Sequence, residues 1–226
     1  MIIRNILRSF TVTLLVTLLT LGTIVSDANA KYPTSGSSAG SLGKVTVGTD
    51  VSEWNVGNGQ FNGEFTVTER QGIELGMRIQ KRFVGPVEVT PDNGYRTGIY
   101  EVKTGDTGGN NATWNYDWHI DLSNARGNAK GKTLSDYRLV LEQDFTNESL
   151  FETFGAHPVE LPLIPGVCSP ETFDPDSLCQ QSWNPGFGND DFDPDAEGTY
   201  HLRLLLIPYT FNGPPVSVSI EVNVTD

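Results

Sequence analysis

Apolar residues recur at every second position through the best-patterned stretches of this chain. Across 112–122, Trp114, Tyr116, Trp118, Ile120 and Leu122 fall on one side of an extended backbone, and Asn115, Asp117, His119 and Asp121 fall on the other. Successive strand side chains point to opposite faces, so this is the pattern of a strand with one face in a core. Tyr200, Leu202, Leu204 and Leu206 alternate in the same way, as do Val216, Val218, Ile220, Val222 and Val224. Weaker strands are predicted at 65–68, 73–83, 98–103 and 137–143. Turn-forming runs punctuate them: Pro91-Asp92-Asn93-Gly94, Gly105-Asp106-Thr107-Gly108-Gly109 and Asn212-Gly213-Pro214-Pro215. No segment carries an apolar stripe at helical spacing. The prediction is an all-β chain, an antiparallel β-sandwich of immunoglobulin-like or jelly-roll-like kind.

Two local patterns refine that expectation. Gly198-Thr199-Tyr200 heads a strand after an acidic turn. In immunoglobulin-like sandwiches, a Tyr near the start of the penultimate strand bonds back to upstream backbone. Tyr200 is either such a corner or simply the first core aromatic of its strand. The region 155–197 lacks strand periodicity and is rich in proline, which predicts one long loop. Cys168 and Cys179, the two cysteines, are expected to form a disulfide that pins it, a closure worth about 3 kcal/mol in the chain-entropy model.

The first 30 residues read as a secretory signal peptide. Arg4 and Arg8 precede an apolar run from Phe10 to Val25, and Ala28-Asn29-Ala30 supplies a cleavage pattern. Residues 31–48, rich in Ser, Gly, Thr and Pro, read as a flexible leader, and 49–226 as a single sandwich domain. The expected location is therefore periplasmic or secreted, with no membrane span once the signal is removed. Of 15 basic and 28 acidic residues, the signal segment holds Arg4, Arg8 and Asp27; 13 and 27 remain without it, a net of −14. Such a balance argues against nucleic-acid partners, whose binding rests on Lys and Arg.

Three chemistries are open to these residues. Asp190, Asp191, Asp193, Asp195 and Glu197 cluster closely enough to supply oxygens to calcium. The spacing is not that of an EF-hand, because Ala196 and Leu202 stand where a glycine and a bidentate glutamate are needed. Phe-Asp-Pro-Asp also occurs twice, at 173–176 and 192–195, so an Asp-Pro turn accounts for the pattern as well. Trp54, Trp183 and Phe187, placed in loop-like segments, are candidates for stacking on sugar rings. Asp117, His119 and Asp121 share the polar face of one strand, which alternation alone makes a solvated face. Gly36-Ser37-Ser38-Ala39-Gly40 matches a nucleophile elbow, but it lacks the strand before and helix after that the elbow requires. No catalytic residue is assigned.

Three blocks together carry a family likeness: Gly72-Ile73-Glu74-Leu75-Gly76-Met77-Arg78; 112–120 followed by 134–139; and Gln181-Ser182-Trp183-Asn184 through Phe192-Asp193-Pro194 to Gly198-Thr199-Tyr200. This order resembles uncharacterised bacterial exported proteins, many of which carry a PEP-CTERM-type sorting tail. The resemblance spans most of 64–226 and implies an exported all-β domain with no catalytic residues to transfer. The tail's motif, apolar segment and basic end are not present at the end of this sequence. The expected function is a non-catalytic binding or structural role in the bacterial envelope or extracellular matrix, with calcium as a stabilising ion and polysaccharide or envelope proteins as partners. The alternative is a carbohydrate-binding or carbohydrate-active sandwich.

Overall fold

The computed structural model of this chain describes residues 43–54, 64–94, 96–144, 158–164, 167–170, 172–187 and 192–226. The segment read as a signal peptide, the stretch read as a leader up to residue 42, the Gly36–Gly40 motif, His157, Asp190 and Asp191 lie outside them. Strands dominate: β1 (Lys44–Thr49), β2 (Phe65–Arg70), β3 (Ile73–Lys81), β4 (Gly85–Pro86), β5 (Val89–Pro91), β6 (Gly98–Lys103), β7 (Trp114–Asp121), β8 (Tyr137–Asp144), β9 (Pro158–Leu161), β10 (Leu178–Trp183), β11 (Gly198–Pro208) and β12 (Val216–Thr225). The described helical residues are two single 3-10 turns, at Gly127–Ala129 and Leu134–Asp136.

Two sheets form the predicted β-sandwich. The first runs β1-β2-β3-β7-β10, with β4 paired to β3; the second runs β5-β6-β12-β11-β8-β9. Among the described residues the strand pairings are antiparallel except β6 with β12. Between the sheets lie the residues marked by alternation: Leu75, Met77 and Ile79 of β3 register with Ile120, Trp118 and Tyr116 of β7, and β12 packs across them. Tyr100 reaches from the second sheet to the first, where its hydroxyl donates to the Glu64 carbonyl at 3.1 Å.

Tyr200 satisfies both of its expectations. It is buried against Trp114 and Phe192, and its hydroxyl donates to the Ala196 carbonyl at 2.8 Å, the corner geometry. Cys168 and Cys179 form the disulfide, with both residues buried.

Two boundaries shift. The domain begins before Gly48, because Lys44–Thr49 is an edge strand paired with β2. The region read as one long loop contains β9 and β10. β10 shows no apolar alternation because polar residues stand on both of its faces, with Gln180 buried and Gln181 and Ser182 half-buried. β9 is an edge strand that opens on Pro158, where proline costs no ladder bond.

Candidate functional site

The outer face of the first sheet differs from the sequence expectation. Asp117 and His119 are fully buried and Asp121 is nearly so. What covers them is the segment after β1. Val51 and Trp54 turn inward over the sheet and form a second apolar cluster with Phe65 and Val67. Gly76 makes room for this strap: a Cβ there would stand 2.9 Å from Val51 Cγ1 and 3.2 Å from Phe65 Cδ1. Trp54, a candidate sugar-stacking residue, is thereby corrected to a buried one. It packs on Phe65 at 5.3 Å between ring centroids.

Beneath the strap, side chains from three adjacent strands converge. Arg78 Nε donates to Asp117 Oδ2 at 2.8 Å, and the guanidinium lies between Phe65 at 4.3 Å and Trp54 at 4.9 Å. Burial pushes the Asp117 carboxyl up to about 6 against the opposing pull of Arg78. One step along, His119 Nε2 lies 3.0 Å from Glu74 Oε1, and Gln180 Nε2 lies 2.9 Å from His119 Nδ1. With the Gln180 amide donating to Nδ1, Nε2 is the ring nitrogen that donates to Glu74. Burial raises the Glu74 carboxyl, but bonds from His119 and the Ser52 backbone outweigh it and hold the group below the usual range.

Ser52, His119 and two carboxylates in one place invite comparison with a hydrolytic triad, and the bonding rejects it. Ser52 Oγ donates to Asp121 Oδ2 at 2.8 Å and stands 3.4 Å from His119 Nε2. That same nitrogen already gives its proton to Glu74, so it cannot receive one from serine. The other ring nitrogen faces an amide instead of the orienting carboxylate a triad uses. These groups satisfy one another and tie the strap down. Ser52 N to Glu74 at 2.7 Å and Gln180 Nε2 to the Glu53 carbonyl complete the fastening.

The acidic run is a turn in its described part. Asp193 Oδ1 accepts the Asp195 N–H at 3.0 Å, and in the other copy Asp174 Oδ1 accepts the Asp176 N–H at 3.1 Å. Both Phe-Asp-Pro-Asp segments thus build the same Asx turn. Asp193, Asp195 and Glu197 are exposed, and among the described residues no three His, Cys, Asp or Glu side chains are grouped to hold a metal.

At the end of the sandwich where β3 stops and β7 begins, three turns meet. The first is Arg82-Phe83-Val84, closed by Val84 N to the Lys81 carbonyl at 3.0 Å. Phe83 is 90% exposed and Val84 70%, and Phe83 adopts φ +62°, a left-handed conformation uncommon for a bulky side chain. The second turn, 105–111, is held by Asp106 Oδ1, which accepts from Gly108 N and Asn111 N. The third is Asn184–Phe187. Asn184, fully buried, donates to the Ala112 and Trp114 carbonyls at 2.9 Å and accepts from Ala112 N at 2.9 Å and Gly186 N at 3.1 Å. Gly186 passes so close to Asn110 that a Cβ would lie 1.9 Å from its carbonyl oxygen.

This scaffold sets Phe187, 51% exposed, beside the first turn. The Arg82 guanidinium lies 5.0 Å from the Phe83 ring and 6.0 Å from the Phe187 ring, and its Nη1 donates to Thr107 Oγ1 at 2.7 Å. Phe187 is therefore the candidate stacking residue that the fold leaves open. Trp183 is corrected from loop to strand β10, where it packs partly buried on Trp118 at 4.9 Å. Arg82 and Phe83 were missed by pattern reading. Their signal is Arg82-Phe83-Val84 just before Gly85, two large apolar residues where a turn calls for polar ones.

No family model, no curated protein and no solved structure matches this chain.

Proposed function

We propose that this protein acts outside the cytoplasm as a non-catalytic binding protein, and that it holds an extracellular saccharide at the Phe83–Arg82–Phe187 platform. The observation that carries the reading is that platform: two exposed rings flank one arginine, all on turns fastened to strands. Rings with open faces stack on the C–H faces of sugars, while a guanidinium and backbone amides serve the hydroxyls. The strained φ of Phe83 adds support. A bulky residue is held in that conformation, and exposed, at a cost that packing does not recover. The extracytoplasmic setting draws on the signal-like first 30 residues and the buried disulfide. Among the described residues no helix is long and apolar enough to cross a membrane. A role in the bacterial envelope or matrix is part of the same proposal, supported by the resemblance of three sequence blocks to exported bacterial proteins.

The test is a microarray of envelope and matrix glycans probed with wild type, Phe83→Ala and Phe187→Ala. Retention by wild type that falls at least tenfold in both variants, with unchanged melting temperatures, is the expected result. Equal retention by all three proteins, or none by any, removes the platform as a binding site.

A further inference from the structure

Arg82 bears on the chemistry of the ligand. We infer that the saccharide bound at the loop end bears a carboxylate, taken by the Arg82 guanidinium while the sugar ring stacks beside it. This rests on the saccharide-binding reading above.

The chain has nearly twice as many acidic as basic residues, so arginines find partners readily. Arg78, Arg126, Arg138 and Arg203 each pair with a carboxylate. Among the described residues no carboxylate comes within ion-pair range of Arg82. Its guanidinium is nevertheless fixed, by Phe83 on one side, Phe187 on another and Thr107 at Nη1. Thr107 is the side chain it donates to among the described residues, which leaves most of its five N–H donors for a ligand. A planar, pre-oriented fork matches a carboxylate bidentately, and holding it in advance lowers the ordering cost of binding. The rings decide between acidic ligands. A pyranose presents its carboxylate at the edge of the ring that stacks, whereas a peptide carboxylate on a flexible side chain gains little from an adjacent ring face. Net charge sets the length. At −14 without its first 30 residues the protein repels a long polyanion from a distance, so the fit is to one acidic residue of a short or sparsely charged chain.

The experiment is calorimetric titration of the full secreted protein with trisaccharides of galacturonate, glucuronate and mannuronate, each beside its methyl ester and its neutral counterpart. Arg82→Gln, Arg82→Lys and Phe83→Ala are measured in parallel, and a triglutamate peptide serves as the non-sugar acid. The expected result is at least tenfold preference for one free acid over its ester. Arg82→Gln abolishes that preference without changing the melting temperature, Arg82→Lys keeps part of it, and Phe83→Ala weakens acid and ester alike. Acid and ester bound equally, with both lost in Phe83→Ala, overturns the carboxylate while the platform stands. Triglutamate bound as tightly as the best acid overturns the saccharide. No binding by any trisaccharide, together with an empty glycan array, overturns the platform and this inference with it.

Discussion

The strapped face of the first sheet and the open end of the sandwich distribute their chemistry in opposite ways. Beneath the strap lie Arg78, Asp117, His119, Asp121 and Glu74, the residue types from which active sites are built, and they are closed in by Val51, Ser52 and Trp54. The open end holds two phenylalanines and one arginine, poor in acid–base chemistry but accessible. Reactive residue types buried and mutually bonded stabilise a fold; ordinary ones held rigid and exposed make a surface that binds. If that division is right, damage beneath the strap lowers stability and leaves ligand contact intact, and damage at the open end does the reverse.

The largest effect belongs to the buried ion pair. Arg78→Ala leaves the Asp117 charge buried alone, and a loss of about 3–5 kcal/mol is expected in urea unfolding. Arg78→Met combined with Asp117→Leu recovers most of that loss, since apolar groups of similar volume replace a buried pair at little cost. A double variant as unstable as the single one refutes the view that the pair is structural. Next comes Trp54→Ala, which opens the strap and costs about 3 kcal/mol. Hydrogen exchange should then show faster exchange of amides around His119, with glycan retention unaltered in the folded protein.

A smaller effect is tied to pH. Asp117 is raised to about 6 from an ordinary 3.8, so between those values the folded state holds a proton that the unfolded chain releases. Its contribution to stability grows as pH falls through that window and is lost as pH rises. Glu74 has the opposite sign: its lowered carboxyl stabilises above the ordinary 4.5, and that stability is lost as pH falls through the folded value. Wild type minus Asp117→Asn, measured as denaturation midpoints from pH 4 to 7, isolates the first group. The difference should move in favour of wild type toward the acid end, and a flat difference rejects the assignment.

The smallest change in stability is the most telling for the open end. Phe83→Gly removes the left-handed strain and an exposed ring, so the protein should become more stable by about 1 kcal/mol while losing glycan retention. A variant that gained stability and still bound sugar would remove Phe83 from the platform.

Much of the fold was legible in the chain. Trp114 to Leu122, Tyr200 to Leu206 and Val216 to Val224 announce their strands because one face meets an apolar core and the other does not. Tyr200 offered a corner or a first core aromatic from its local Gly-x-Tyr opening, and the fold made it both. β10 hid because Gln180, pointing away from the core, is buried beneath the strap while Gln181 and Ser182 are half-buried, so polar residues on both faces left no apolar alternation. Asp117 and His119 misled for the same reason. Alternation reports that a residue points away from the core, not that water lies where it points. Of the three aromatics picked as exposed, Phe187 is the one that the fold leaves open.

The sequence by itself determined the strands with clean alternation, the all-β sandwich class and the disulfide, which follow from local periodicity, turn chemistry or the count of two cysteines. Only the tertiary structure decided what is covered. The strap reaches Glu74, Asp121 and Gln180 across separations of 22 to 127 residues. Arg82 meets Thr107 and Phe187 through turns brought together by the ends of different strands. Burial and convergence are properties of the assembled sheets, and no periodicity within one strand encodes which segment will be laid over it.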